Sequence, residues 1–142
     1  MVDKASVSVA DIMNTDVCTC RASDRLDSVR EVMSKRRFRH VPVVADDGRI
    51  IGILCDRDIR TSSFGMDTHG SSLSELVVAN IPVSEIMVME TVTVSPDTHV
   101  AAALDIMKEK RISCLPVVAG GKIVGIVTGA DFLALLRRLF DS

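Results

Sequence analysis

Thr128 and Asp131 stand three residues apart in the stretch GIVTGAD, which follows the apolar run GGKIV and precedes FLALLRRLF. A strand is expected to end at Thr128 and a helix to begin at once. At such a joint a Thr followed three residues later by an acid forms a capping box, and the acid also suits the positive end of the helix dipole. The same geometry can hold a ligand. Free N–H groups at a helix start bind phosphate, a Thr hydroxyl adds a donor, and an ionised Asp offers acceptor oxygens to the paired hydroxyls of a ribose. Capping and binding are compatible. A related stretch, GILCDRD, places Cys55 where Thr128 stands and keeps Asp58 at the acidic position. Cys is a weak donor and a poor cap, and Asp56 beside it repels anions.

These two stretches belong to an internal repeat. The segment DIM at Asp11–Met13 returns as EIM at Glu85–Met87, and RHVPVVADDGRIIGILCDRDI (Arg39–Ile59) returns as SCLPVVAGGKIVGIVTGADF (Ser113–Phe132). Thr19 matches Thr93, Met33 matches Met107 and Arg37 matches Arg111, each pair 74 residues apart; past a shorter turn, Gly52 and Gly125 are 73 apart. The chain is therefore two copies of one unit. Residues 8–64 form the first, 65–82 a linker with a short helix around 73–79, and 83–140 the second.

Each copy is read as strand, helix, strand, strand, helix. DRLDSVREVMSKRR and HVAAALDIMKEKR repeat their apolar residues at helical period, with Ser23 or Asp24 able to cap the first. VPVVADDGRIIGIL and LPVVAGGKIVGIV are β-rich pairs around Asp-Gly and Gly-Gly turns, hence hairpins. Their continuous apolar runs indicate strands buried on both faces. The C-terminal stripe of Phe132, Leu135, Leu136, Leu139 and Phe140 is expected to be mostly core, with an unfilled part able to seat a second chain.

Composition narrows the function classes. Of 142 residues, 17 are Lys or Arg and 19 are Asp or Glu, so no global positive field favours nucleic acid. There is no Trp or Tyr to stack bases. The basic run SKRRFRH reads as a helix C-terminus carrying favourable cations. No apolar run approaches a membrane span, and the opening MVDKASVSVADIM lacks the apolar core of a secretory signal. The four cysteines have no CxxC spacing, so free thiols in a reducing cytoplasm are expected, with no disulfide. Cys18 and Cys20 with His40 could suggest zinc, but no fourth ligand is evident and no metal is expected. His69 and His99 lack a partner that would make them catalytic, and neither G-x-S-x-G nor a P-loop is present.

With IM before the first strand and hPVV on the second, each occurring twice, and GIhTxxD after the third, intact in the second copy and with Cys55 for the Thr in the first, the chain resembles a tandem pair of CBS domains, the Bateman module named after cystathionine β-synthase. LSELVVANIPVSEIM and TVTVSPDT are in addition similar to small bacterial proteins of the acetoin-utilisation subfamily. The resemblance covers roughly residues 8–140 and implies an α/β fold of two β-α-β-β-α units packed as a pseudo-twofold pair. It further implies two clefts for adenosine-containing ligands such as AMP, ADP, ATP or S-adenosylmethionine, each shared between the copies. In one, Asp131 takes the ribose and Thr128 the phosphate, facing Val17, Thr19 and Cys20 and the stretch Arg39, His40, Val41 and Pro42. In the other, weaker cleft, Cys55 and Asp58 face Thr91 and Thr93 and the stretch Cys114, Leu115 and Pro116. The expected protein is a non-catalytic cytoplasmic sensor without a cofactor. It is expected to form a homodimer through helix faces near Met13, Met33, Met87 and Met107 and to act on an unidentified partner protein; a scaffold with empty clefts is the alternative.

Overall fold

A computed structural model describes residues 6–62, 80–89 and 91–141. The expected linker helix around 73–79, and His69, lie outside the described residues. The elements run α1 (Val9–Ile12), α2 (Leu26–Arg36), β1 (His40–Val44), β2 (Ile50–Cys55), α3 (Asp56–Ser62), a 3-10 turn (Val83–Glu85), α4 (Val100–Lys110), β3 (Cys114–Ala119), β4 (Lys122–Thr128) and α5 (Gly129–Phe140). Among the described residues no helix is long and apolar enough to cross a membrane.

Two antiparallel hairpins organise the chain. β1 pairs with β2 from His40 opposite Cys55 to Val44 opposite Ile50, and β3 pairs with β4 from Cys114 opposite Thr128 to Ala119 opposite Lys122. Gly120 and Gly121 take φ of 60° and 80°, the left-handed conformation that a two-residue hairpin turn requires. In the first copy that turn is one residue longer: Gly48 (φ 88°) closes it, and Ala45 N–H donates to the Arg49 carbonyl at 2.8 Å. This extra residue accounts for the change in repeat offset from 74 to 73.

The first strand expected in each copy is reduced to a single bridge. Cys20 lies parallel to Val43 and Val94 parallel to Val117, fixed by Cys20 N–H to the Pro42 carbonyl and Val94 N–H to the Pro116 carbonyl. Because β1 has a chain on either side and a helix against it, Val41, Pro42 and Val43 are all buried, as are Leu115, Pro116 and Val117 in β3.

The chain divides into two compact units that do not follow the order of the copies: residues 18–91 form one, and residues up to 17 together with 92 onward form the other. The opening segment of each copy has crossed to the hairpin of the other. In the unit holding β3 and β4, Val9 N–H donates to the Thr98 carbonyl at 2.8 Å, Val100 N–H to the Val7 carbonyl at 3.1 Å, and Asn14 pairs antiparallel with Ile126. In the unit holding β1 and β2, Val83 N–H donates to the Asp24 carbonyl at 2.9 Å, Leu26 N–H to the Ile81 carbonyl at 2.9 Å, and Ile53 pairs with Val88. The Ile81 carbonyl thus serves the start of α2. Arg25, rather than Ser23 or Asp24, holds the N-cap position and gives no side-chain cap; the Asp24 carboxylate instead accepts from Arg21 N–H at 2.8 Å.

Each unit has its own core. Leu26, Val29, Met33, Val41, Val43, Leu54, Ile59 and the crossed-over Val83 form one. Val94, Ala103, Met107, Leu115, Val117, Val127 and the crossed-over Val9 form the other. The expectation that methionines line exposed helix faces is corrected here. Met33 and Met107 are core residues, and Met13 and Met87 are half-buried against the hairpin of their unit. The α5 stripe also splits: Leu135 is buried with Phe132 and Leu139 beside it, whereas Leu136 and Phe140 face outward. The basic run is a helix end as expected. Lys35 and Arg36 fill the last turn of α2, Arg37 caps it at φ 59°, and the Arg36 guanidinium sits 4.8 Å from the Phe38 ring centroid.

Candidate functional site

β4 delivers Thr128 to the N-cap of α5 in extended conformation, φ −126° and ψ 173°. The half-buried Asp131 reaches back one turn. Its Oδ2 accepts the Thr128 N–H at 2.8 Å and lies 3.4 Å from the Thr128 hydroxyl, a weak contact. The capping role is therefore real. It occupies one carboxylate oxygen, and among the described residues Oδ1 takes no hydrogen bond. A Cβ built on Gly129 would meet nothing within 4 Å, and Gly129 and Ala130 are exposed, so the first turn of α5 is open beside that carboxylate. Chemically, this is an anionic acceptor, a hydroxyl and uncovered helix-start N–H groups converging on one turn. Cys114, across the hairpin from Thr128, is buried.

The equivalent place in the other unit has the same backbone path and different chemistry. β2 ends at Cys55, across from His40, and Asp56 N–H donates to the Arg39 carbonyl at 2.8 Å. The Cys55 thiol hydrogen-bonds Asp58, reproducing the three-residue contact of Thr128 and Asp131 with sulfur for oxygen. Burial, then the charge of Asp58 and its hydrogen bond, push that thiol up to about 11, so it stays protonated near neutrality. Burial holds His40 below the ordinary imidazole range; the Arg39 charge adds to this, while Asp58 and Asp56 oppose it. Cys20 is pushed up to about 12, chiefly by burial. These are protonated thiols rather than nucleophiles. The four cysteines are free, and among the described residues no cluster of His, Cys, Asp and Glu could hold a metal ion.

The expected ligand residues fall on both units. Thr128, Asp131 and Val17 belong to the unit of β3 and β4, as do Thr93, Cys114, Leu115 and Pro116. Thr19, Cys20 and Arg39 through Pro42 belong to the unit of β1 and β2, with Cys55, Asp58 and Thr91. Within a unit, the structure brings together Thr128, Asp131 and Cys114, and separately His40, Cys55 and Asp58. Val41, Pro42, Leu115 and Pro116 are buried, and Thr19 and Arg39 are exposed. The sequence reading missed the proximity of His40 to Asp56 and Asp58. The hairpin carried part of the signal: counting back from the turn sets His40 within one residue of Cys55, and the bulge between Val43 and Val44 brings the two opposite.

Comparison with known proteins agrees with this architecture. The family model for the CBS domain matches twice, over residues 9–65 and 83–138. A CBS domain-containing protein of Dictyostelium discoideum is 30% identical over 139 residues, covering 95% of this chain and 94% of that protein. Among solved structures, an acetoin utilization protein (AcuB) from Vibrio cholerae superposes with a TM-score of 0.80 at 26% identity, covering 96% of each chain. The CBS domain pair of protein MJ0100, in complex with 5′-methylthioadenosine and S-adenosyl-L-methionine, superposes with a TM-score of 0.78 at 25% identity, covering 94% of this chain and 98% of that one. Other relatives are longer enzymes. The chain spans 24% of a homoserine O-acetyltransferase from Methanohalobium evestigatum and 21% of an inosine-5′-monophosphate dehydrogenase from Mycobacterium bovis. With both copies matched and the fold shared over nearly its full length, this chain belongs to the CBS-domain family as a tandem CBS pair.

Proposed function

We propose that the chain is a cytoplasmic, non-catalytic regulatory module that binds an adenosine-containing ligand, AMP, ADP, ATP or S-adenosylmethionine, and assembles as a homodimer. The observation that carries this reading is the division of labour at Asp131. One oxygen holds the cap and the other takes no hydrogen bond among the described residues, beside a helix start left open by Gly129. A ribose supplies two neighbouring hydroxyl donors for such a carboxylate, and the helix-start N–H groups with Thr128 suit a phosphate. The MJ0100 pair, with its adenosine-based ligands, supports the same ligand class. A ligand with unequal affinity for two conformations shifts their populations, which is all that regulation of a partner protein requires.

A second reading, a structural or partner-binding scaffold, is favoured by one observation: a protonated thiol, Cys55, stands where the other motif has the Thr128 hydroxyl, and Asp56 adds negative charge beside Asp58. Calorimetric titration of the purified protein with the four ligands separates the two. Saturable heat with one of them supports the sensor, and no heat from any supports the scaffold.

A further inference from the structure

His99 holds the N-cap of α4 and closes it with its own ring: Nδ1 accepts the Ala101 N–H at 3.0 Å. To accept, that nitrogen must keep its lone pair, so the imidazole is neutral with its proton on Nε2. Histidine is the side chain that changes charge between about pH 5 and 8. A protonated ring carries N–H on both nitrogens and would set donor against donor at Ala101. A cation at a helix start also opposes the helix dipole. Protonation therefore removes this cap.

The cap stands where the opening segment of the first copy is held. Val9 N–H donates to the Thr98 carbonyl at 2.8 Å, Ala10 N–H to the Pro96 carbonyl at 2.8 Å and Val100 N–H to the Val7 carbonyl at 3.1 Å, while Ser8 pairs antiparallel with His99 itself. Val7, Val100 and Leu135 are buried together.

The repeat provides an internal control. Arg25 takes the place of His99, 74 residues earlier. Its joint has the same form: Leu26 N–H donates to the Ile81 carbonyl, Val83 N–H to the Asp24 carbonyl, and Arg25 pairs antiparallel with Pro82. There the N-cap residue gives no side-chain cap. The fold thus closes such a joint without one, and the titratable cap belongs to the joint at His99 alone. Two carboxylates stand on the segments packed there, Asp11 of α1 and Asp97 of the turn before α4, and the first turn of α4 carries no acid. Asp11 Oδ2 already accepts the Ser8 N–H at 2.8 Å. α5 contributes the apolar Phe132 and Leu135. An imidazolium gains from either carboxylate, and neither gain returns an acceptor to the Ala101 N–H.

We infer that His99 is a pH-sensitive latch. Neutral, it fastens the head of α4 where the crossed opening segment docks; on acidification it lets that joint loosen. The device is independent of the ligand reading above.

Nuclear magnetic resonance of the full chain tests it. Nitrogen-15 shifts of the His99 ring at pH 8 are expected to show the Nε2–H tautomer. Between pH 7.5 and pH 5.5 the protection of the Val9, Val100 and Ala101 amides against exchange is expected to fall about fivefold, the scale of a lost N-cap. His99→Asp keeps an acceptor that stays ionised over this range and is expected to abolish the fall. His99→Arg, which copies the other joint, is expected to give the low protection at both pH values. His40→Gln is expected to leave the fall unchanged. A proton on Nδ1 at pH 8, or a fall of the same size in His99→Asp, would overturn the latch. A fall that vanishes in His40→Gln would overturn it too, and would assign the response to the other histidine.

Discussion

Met13 lies directly on Gly125: a Cβ at position 125 would stand 2.6 Å from the methionine Sδ and 3.0 Å from its Cγ. The relation recurs as Met87 on Gly52, where a Cβ would meet Sδ at 3.1 Å and the Val88 carbonyl oxygen at 2.9 Å. The repeated methionine of each copy therefore fills the space left by the repeated glycine of the other copy. Gly125→Ala and Gly52→Ala should each destabilise by about 1–3 kcal/mol, the usual cost of overpacking. Gly52→Ala is the costlier, because its Cβ would stand 2.9 Å from the fixed Val88 carbonyl oxygen, whereas at Gly125 the corresponding Asn14 carbonyl oxygen is 3.2 Å away and the nearest atom belongs to a methionine side chain that can shift. Met13→Ala should rescue part of the Gly125→Ala loss. Strict additivity of the two in denaturant melts would contradict the contact.

The crossed opening segments predict where a core mutation is felt. Val9 opens the first copy and is fully buried in the unit of β3 and β4. Val9→Ala should therefore raise amide hydrogen exchange across residues 114–128 more than across residues 40–55. The reverse pattern would mean that each copy folds on its own opening segment.

Much of this was legible in the chain itself. The repeat, the two hairpins, the glycine turns and the cap at Thr128 follow from local rules that act over a few residues. The crossing was not legible. DIM and EIM mark a place in each copy, but a repeat is symmetric, so pattern alone cannot say whether Met13 packs on Gly52 or on Gly125. The single bridges at Cys20 and Val94 resemble full strands in sequence, because apolar residues next to a hairpin look alike whether they pair at one residue or at five. Leu136 and Phe140 share a helical stripe with Leu135, yet helix rotation exposes them, and only the position of β4 sets that rotation. At the candidate site, the residue types announced a cap and a ligand holder equally well. It took the geometry to find that the cap uses only one oxygen of Asp131.

His40 and Cys55 predict opposite pH responses. His40 has a folded-state pKa below its unfolded value, so on acidification the unfolded chain takes up the proton first. Stability should fall as pH drops below about 6.5, and His40→Gln should flatten that dependence. Cys55 is raised from the ordinary value of 9.0 to about 11, so its contribution is whole below 9.0 and is lost as pH rises through 11. Cys55→Thr should remove that alkaline loss. Urea midpoints of the three proteins from pH 5 to 11 provide the check, and identical profiles would contradict the assignments.

Cys55→Thr also tests the difference between the two motifs. It restores the hydroxyl found at Thr128, so if the missing hydroxyl limits the first motif, a phosphorylated ligand should gain a second binding event in titration. A stoichiometry unchanged from the wild type would place the limit at Asp56 instead.

The most direct measurement is calorimetric titration of wild type and Asp131→Asn with AMP, ADP, ATP and S-adenosylmethionine, paired with thermal melts. The variant keeps an oxygen for the Thr128 N–H and loses the charge offered to the ribose. Hydrogen bonds to a charged group are worth about 1.5–3 kcal/mol each, so the account predicts at least a tenfold loss of affinity with the melting temperature nearly unchanged. A variant that melts lower but binds as tightly as wild type would make Asp131 a helix cap and nothing more.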